Sequence, residues 1–211
     1  MTIAEGAIKK LDAHVWEREA NEHYVEPEWC SERLFAEEDF LGGILDPCCG
    51  FGRIVQGARK AGHHAVGSDL IERAPGFMYA LDFLSGDYPR EILHPELGGE
   101  CANVVCNPPF NVAKEFALNA LAWTPRKVAM IFPTARLNAA HWLHGTPLER
   151  IWLMTPRPSM PPGHTILAGE KPGGGKMDYC WLVWRKGYSG DAAVKWLRRD
   201  GALPLQQHQG G

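Results

Sequence analysis

The sequence lacks an excess of charge of either sign. Its 211 residues carry 22 Lys and Arg against 25 Asp and Glu, which gives a formal net charge of -3. This balance excludes the strong global attraction to phosphates that marks many nucleic-acid-binding domains. Basic residues do cluster late in the chain, and the cluster fits a solvated helix face as well as a phosphate-contacting surface: Arg185, Lys186, Lys195, Arg198 and Arg199.

Cysteine pairs, metal ligands and long apolar runs are lacking as well. The six cysteines form no Cys-x-x-Cys pair and none of the nine histidines has metal-ligand spacing, so we expect neither a disulfide framework nor a metal. The first residues do not look like a signal peptide, and no apolar stretch approaches the length that spans a membrane. We therefore expect a cytoplasmic protein.

What the sequence does contain is an alternation of short apolar strands and amphipathic helices, at 45% hydrophobic and 22% charged residues. This alternation predicts an α/β fold, in which seven strands form a mostly parallel, doubly wound sheet with helices on both faces. We expect a helical arm over 1–40 that packs on the core, a core over 41–186, and a short helix and flexible tail over 187–211. One long loop, 155–177, holds five prolines and five glycines, and a loop of this length is usually either functional or disordered.

A glycine turn, 46–52 (DPCCGFG), follows the first predicted strand. In open α/β sheets such a turn and the helix after it form a ligand site. The acid Asp46 would repel a pyrophosphate, and the Gly-x-Gly-x-x-Gly fingerprint of dinucleotide enzymes is incomplete. A carboxylate here suits a cationic group such as the ammonium of an amino acid. S-adenosylmethionine carries an ammonium, and a carboxylate for the backbone donors, so the turn favours it over a nicotinamide cofactor.

Two further acids follow the next two strands. Asp69 ends the second strand, where an acid can accept both hydroxyls of a ribose. Asp82 and Phe83 follow the third, where the acid would accept from an adenine amino group and the ring would flank the base. Both acids also fit an ordinary turn or helix cap.

The fourth strand ends in the tetrapeptide Asn107-Pro108-Pro109-Phe110, about sixty residues after the glycine turn. Methylation of an exocyclic amine needs two acceptors aimed at the amine hydrogens, because the nitrogen lone pair is delocalised into the ring. The Asn107 side-chain oxygen and the Pro108 carbonyl can supply them, held by two stiff prolines. Phe110 offers a ring on which a flipped base can stack. The alternative is a plain strand-ending turn.

Taken together, the turn and the tetrapeptide resemble those of the small phage and prophage S-adenosylmethionine-dependent methyltransferases that act on adenine N6 in DNA. The segment 24–29 (YVEPEW) is similar to the one that closes over the methionine end of the cofactor, and the likeness extends over about 20–186. It implies a C-terminal antiparallel hairpin, bound S-adenosylmethionine, and DNA as partner. It implies as catalytic residues Asn107, Pro108, Pro109 and Phe110, and as cofactor-binding residues Tyr24, Pro27, Asp46, Pro47, Cys48, Gly50, Gly52, Asp69, Leu70, Asp82, Phe83 and Asn107.

Other acceptors remain open at this point. Similar tetrapeptides serve in enzymes that methylate an amino group in RNA or a glutamine amide in proteins, and a non-catalytic cofactor-binding scaffold is a further alternative. The sequence holds no separate target-recognition domain. We therefore expect specificity to come from the 155–177 loop or from a homodimer or other partner protein, or else to be low.

Overall fold

The computed structural model describes residues 23–73, 79–86, 88, 101–170 and 173–201. Eight strands in this part form one sheet, in the order β3-β2-β1-β4-β5-β7-β6-β8. The strands are β1 Gly43–Asp46, β2 Ala65–Asp69, β3 Tyr79–Ala80, β4 Cys101–Cys106, β5 Lys127–Pro133, β6 Leu148–Thr155, β7 Tyr179–Arg185 and β8 Ala193–Arg198. The helices are α1 Glu28–Glu37, α2 Arg53–Lys60, α3 Ala113–Trp123 and α4 Gly163–Leu167, with 3-10 turns at Thr134–Ala139 and His141–Leu143.

The first five strands are parallel, so their carboxyl ends meet along one edge. Residues of β1, β2 and β5 are buried almost throughout, as expected for strands covered on both faces. One apolar cluster lies between the sheet and helices α1 and α2, and a second lies between the sheet and α3. The predicted doubly wound α/β sheet is confirmed.

The far half of the sheet is mixed, and it confirms one prediction and departs from another. β7 pairs antiparallel with both β5 and β6, which confirms the expected C-terminal hairpin. However, β8 adds an eighth strand parallel to β6, where we expected seven strands and a short helix after 187. The free edge of β6 explains the difference, because Val194, Trp196 and Leu197 are good strand residues once a partner edge is available. The expected flexible tail lies mostly outside the described residues, as does most of the helical arm.

A buried carboxylate ties the end of α1 to the sheet. Glu38 is 4% exposed and accepts hydrogen bonds from Trp152 Nε1 at 2.8 Å and from Lys127 Nζ at 2.8 Å. Arg150 Nε also lies 3.1 Å from this carboxylate. Because α1 follows the segment 23–27, this anchor fixes the chain that leads to the carboxyl edge of the sheet.

The predicted long loop is folded against that leading segment. It contains α4, and its residues 161–163 run beside 23–25: Val25 N donates to Pro161 O at 2.9 Å and Gly163 N donates to His23 O at 3.0 Å. We call these paired segments, 23–25 and 161–163, the clasp. Within the described ranges, every helix is too short or too polar to span a bilayer.

Candidate functional site

The glycine turn is shaped at the junction of β1 and α2. Gly50 and Gly52 have φ of +50° and +74°, a conformation that side chains disfavour, and Gly52 is the N-cap of α2. The turn is tied to the neighbouring strand because Gly50 N donates to Asp69 Oδ2 at 2.8 Å. Asp46 stabilises the turn itself by accepting from Cys48 N at 3.2 Å.

Three carboxylates line one cavity beside this turn. Asp46, Glu26 and Asp69 are 1%, 7% and 8% exposed, and Arg53 and Asn107 line the same cavity. Burial, followed by the nearby Glu26 charge, raises the pKa of Asp46 well above its ordinary value. Burial likewise raises the pKa of Glu26. A bound cation would stabilise the ionised forms of Asp46 and Glu26. The pocket therefore favours a cationic ligand.

Asn107 connects the end of β4 to the leading segment. Its Nδ2 donates to Glu26 Oε2 and to Tyr24 O, both at 2.9 Å. The buried Pro108 and half-buried Pro109 follow, and Pro109 O accepts from Val112 N at 3.2 Å as α3 begins. The tetrapeptide is therefore held from both sides.

An aromatic pair lies next to the tetrapeptide. The Phe110 and Tyr179 ring centroids are 5.8 Å apart with a 36° tilt, and Arg136 Nη1 donates to Phe110 O at 3.0 Å. Burial, followed by the neighbouring Tyr24 phenol, raises the pKa of Tyr179 to about 12. Tyr179 is thus neutral at physiological pH and acts here as a packing ring.

A second cavity adjoins the first and is more apolar at its rim. The two share Cys48, Asp69, Arg73 and Pro109. The second is lined in addition by Pro47, Leu70, Ile71, Leu81, Asp82, Phe83, Leu84, Asn111, Val112 and Phe116. Arg73 Nε is buried 3.9 Å from Asp69 Oδ1 and makes no hydrogen bond among the described residues, so a ligand oxygen could satisfy it.

The predicted residues on this second cavity differ in exposure. Asp82 is exposed and accepts from Leu84 N at 2.8 Å. Phe83 is 1% exposed, and its ring packs in the core against Tyr88, Phe116 and Trp123. The large apolar side chains that are open at the rim are those of Leu70, Ile71 and Leu84, at 63%, 43% and 37% exposure.

Of the predicted cofactor residues, Pro27 and Gly52 line neither cavity, and both are N-cap residues. Tyr24, Asp46, Pro47, Cys48, Gly50, Asp69, Leu70, Asp82, Phe83 and Asn107 each line at least one. Burial raises the pKa of the Cys48 thiol well above its ordinary value, so it is a poor nucleophile. Within the described ranges no cluster of His, Cys, Asp and Glu has the arrangement of a metal site.

Four further residues line the first cavity and were not predicted from the sequence: Glu26, Arg53, Arg73 and His23. His23 lies against the turn, since a Cβ at Gly50 would come within 2.6 Å of its Nε2, and its ring meets the Phe51 ring edge-on at 4.8 Å. Glu26 lies within the segment that carries the resemblance, and that was its only signal in the sequence. Arg73 ends another segment of the resemblance, 67–73, whereas Arg53 and His23 had no signal.

Comparison with known proteins adds the fold family. No protein family and no curated protein sequence matches this chain. Among solved structures, a putative RNA methyltransferase from Pyrococcus horikoshii is similar at a TM-score of 0.54 and 15% identity, over 84% of this chain and 94% of that one. The type I restriction enzyme EcoKI M protein is similar at 0.54 and 13%, over 83% of this chain and 48% of that one.

A putative class I S-adenosylmethionine-dependent methyltransferase from Listeria monocytogenes is similar at a TM-score of 0.52 and 12% identity, over 81% of this chain and 65% of that one. This chain thus spans about two thirds of the Listeria chain and about half of the EcoKI subunit. At these identities the likeness concerns the fold, which is that of the class I methyltransferases.

Proposed function

We propose that this protein transfers a methyl group from S-adenosylmethionine to the exocyclic N6 amine of adenine in DNA. The observation that carries the proposal is the position of Asn107, at the end of β4 and in the wall of a cavity lined by three carboxylates. A hydrogen-bond acceptor for the target amine therefore lies beside a pocket suited to a cationic cofactor.

The two adjoining cavities fit the two ends of the cofactor. Asp46 would hold the ammonium of the methionine end, with Arg53 nearby for its carboxylate. Asp69 lines both cavities and would accept the ribose hydroxyls, and Asp82 at the second cavity would accept from the adenine amino group. When bound, the cofactor supplies an electrophilic methyl group on a sulfonium.

The residues of the chain prepare the acceptor amine. Asn107 Oδ1 and the Pro108 carbonyl accept its two hydrogens, which concentrates the lone pair on nitrogen. With the cofactor bound, the amine nitrogen would take the methyl group directly, and the displaced amine proton would pass to water. No covalent enzyme intermediate is needed, in agreement with the protonated state of the Cys48 thiol.

The target base would stack on Phe110, which is half-buried and backed by Tyr179. A base can reach this ring only after it has left the duplex, and stacking on an aromatic ring is worth about 1–3 kcal/mol. Arg136 is exposed and donates a hydrogen bond to the Phe110 carbonyl, so it is placed to contact a phosphate next to the stacked base.

DNA is favoured as the acceptor by the tetrapeptide and turn together, and by likeness to the M protein of the type I restriction enzyme EcoKI. Sequence specificity would then come from the 155–177 loop, or from a homodimer or other partner protein. The second candidate acceptor is an amino group in RNA, because the Pyrococcus neighbour, described as a putative RNA methyltransferase, matches over nearly its whole length.

The test is transfer of labelled methyl from S-adenosylmethionine to unmethylated duplex DNA, single-stranded DNA, bulk RNA and protein extract, followed by nucleoside mass spectrometry. We expect N6-methyladenine in DNA and its loss in Asn107→Ala. The matched control is Asn138→Ala, an exposed asparagine outside both cavities, which should remain active. Methylguanine in RNA would show that RNA, and not DNA, is the methyl acceptor. Full activity of Asn107→Ala would refute the catalytic role of the tetrapeptide.

A further inference from the structure

The side-chain amide of Asn107 has an oxygen and a nitrogen, and only the oxygen can accept a hydrogen bond from the target amine. An amide oxygen accepts hydrogen bonds, whereas the amide nitrogen donates two. An acceptor amine approached by the nitrogen end would meet hydrogens instead of a lone pair. Methyl transfer at this site therefore requires the oxygen end of Asn107 to face the acceptor, and something must select that orientation.

Two acceptors on the leading segment fix the nitrogen end. Nδ2 donates to Tyr24 O and to Glu26 Oε2, each at 2.9 Å, so both amide hydrogens are engaged. Within the described part of the chain, Oδ1 is left over as the free acceptor of this side chain, which lines the open cavity. A flipped amide would place Oδ1 against two oxygens, which is repulsive.

The Glu26 carboxylate is itself held in place. It is 7% exposed, on a segment whose next residue is the N-cap of α1, and its own backbone carbonyl accepts from Arg53 Nη1 at 2.7 Å. The clasp holds the residues just before it, through Val25 N and Pro161 O. A buried acceptor on a fixed backbone can orient its partner with little entropic cost.

We infer that Glu26 is a positioning residue, which holds the Asn107 amide so that its oxygen faces the amine to be methylated. This inference rests on the proposed function. It differs from a direct role of Glu26 as the cofactor's counter-charge, because orientation needs only an acceptor oxygen and not a negative charge.

Glu26→Gln and Glu26→Ala separate the two roles. Gln keeps an acceptor oxygen within reach of Nδ2 and removes the charge, whereas Ala removes both. Cofactor affinity is measured by calorimetry, and methyl transfer by single turnover at saturating cofactor. We expect Glu26→Ala to slow transfer roughly 10- to 100-fold, as a misplaced catalytic group does. Glu26→Gln should stay within about fivefold of wild type, since the amide oxygen restores the hydrogen bond.

The opposite result is equally clear. If both variants weaken cofactor binding to the same degree and transfer at saturation is unchanged, Glu26 acts through its charge and the positioning inference is wrong. The matched control is Glu28→Ala, an exposed glutamate two residues away whose side chain pairs, among the described residues, with Lys60 and which should leave both quantities unchanged.

A readout without activity separates this inference from the proposed function. The side-chain amide protons of Asn107, assigned by NMR from their loss in Asn107→Ala, should exchange slowly with solvent in wild type and Glu26→Gln, and faster in Glu26→Ala. A wild type that methylates nothing would refute the proposed function, while slow exchange would still establish the hold on Asn107. Equal exchange in all three proteins would overturn the inference whatever the activity.

Discussion

Replacing Asp46 with Asn should make the free protein more stable while weakening its hold on the cofactor. Asp46 is 1% exposed, and burial together with the Glu26 charge raises its pKa well above the ordinary value. The native state therefore binds this proton more tightly than the unfolded chain does. Stability is lost as pH rises from about 4, the unfolded value, through the raised native pKa. An Asn of the same shape removes that loss and can still accept from Cys48 N.

Cofactor binding should change in the opposite direction. A charge-assisted hydrogen bond contributes about 1.5–3 kcal/mol, so loss of the Asp46 charge should weaken affinity roughly 10- to 150-fold. In wild type the affinity should rise with pH up to the raised pKa, because the cation binds the ionised carboxylate. The slope should be smaller in Asp46→Asn, where the raised pKa of Glu26 remains in this cavity but that of Asp46 is gone.

The assays are thermal unfolding without cofactor and calorimetry with it, both from pH 5 to 9. At pH 8 a gain of about 1 kcal/mol would raise the midpoint by roughly 2–4 °C. The control is Asp39→Asn, an exposed aspartate outside the carboxylate cavity, which should change neither quantity. A lower midpoint for Asp46→Asn, combined with unchanged cofactor affinity, would refute the reasoning.

Three further substitutions test other parts of the structure. Glu38→Ala should lower the free energy of unfolding by about 3 kcal/mol in urea titration, because it removes the carboxylate that pairs with the largely buried Lys127 and leaves Arg150 with Glu149 alone. Phe110→Ala should weaken acceptor binding by about 1–3 kcal/mol, seen as a raised KM for DNA. Gly50→Ala should weaken cofactor binding in calorimetry, since its Cβ would lie 2.6 Å from His23 Nε2 at a positive φ.

Each of these has its own control and contrary outcome. Glu37→Ala removes an exposed pair with Arg33 and should cost little, and equal losses at both glutamates would contradict the anchoring role of Glu38. Phe110→Trp should keep the KM, and an unchanged KM in the alanine variant would rule out stacking there. Gly62→Ala shares the positive φ with open space around it, so any cofactor defect there would contradict the steric argument.

The sequence predicts the carboxyl edge of the sheet well because its signals are local. A strand of consecutive apolar residues followed by a glycine turn or by Asn-Pro-Pro leaves few alternatives, and β1, β2 and β4 end at the predicted residues. Their meeting at one edge then follows from the parallel arrangement.

What the sequence could not predict depends on contacts between distant residues. Whether 193–198 forms a helix or a strand is decided by the open edge of β6, about forty residues earlier, and not by local preference. The hydrogen bond between Glu26 and Asn107 joins residues 81 positions apart. The core position of the Phe83 ring follows from the aromatic side chains of α3, which no local pattern around Phe83 reveals.

The clasp has a consequence for turnover. It joins the segment that covers the glycine turn to the proline-rich loop in which we expect acceptor specificity, through two backbone hydrogen bonds. A ligand that stabilises 161–163 in the closed clasp should therefore also oppose the opening of 23–25. If acceptor and cofactor both bind more tightly when the clasp is closed, each raises the affinity of the protein for the other. By thermodynamic reciprocity the two factors are equal. Release of the used cofactor and release of the acceptor would then both depend on the opening of the clasp.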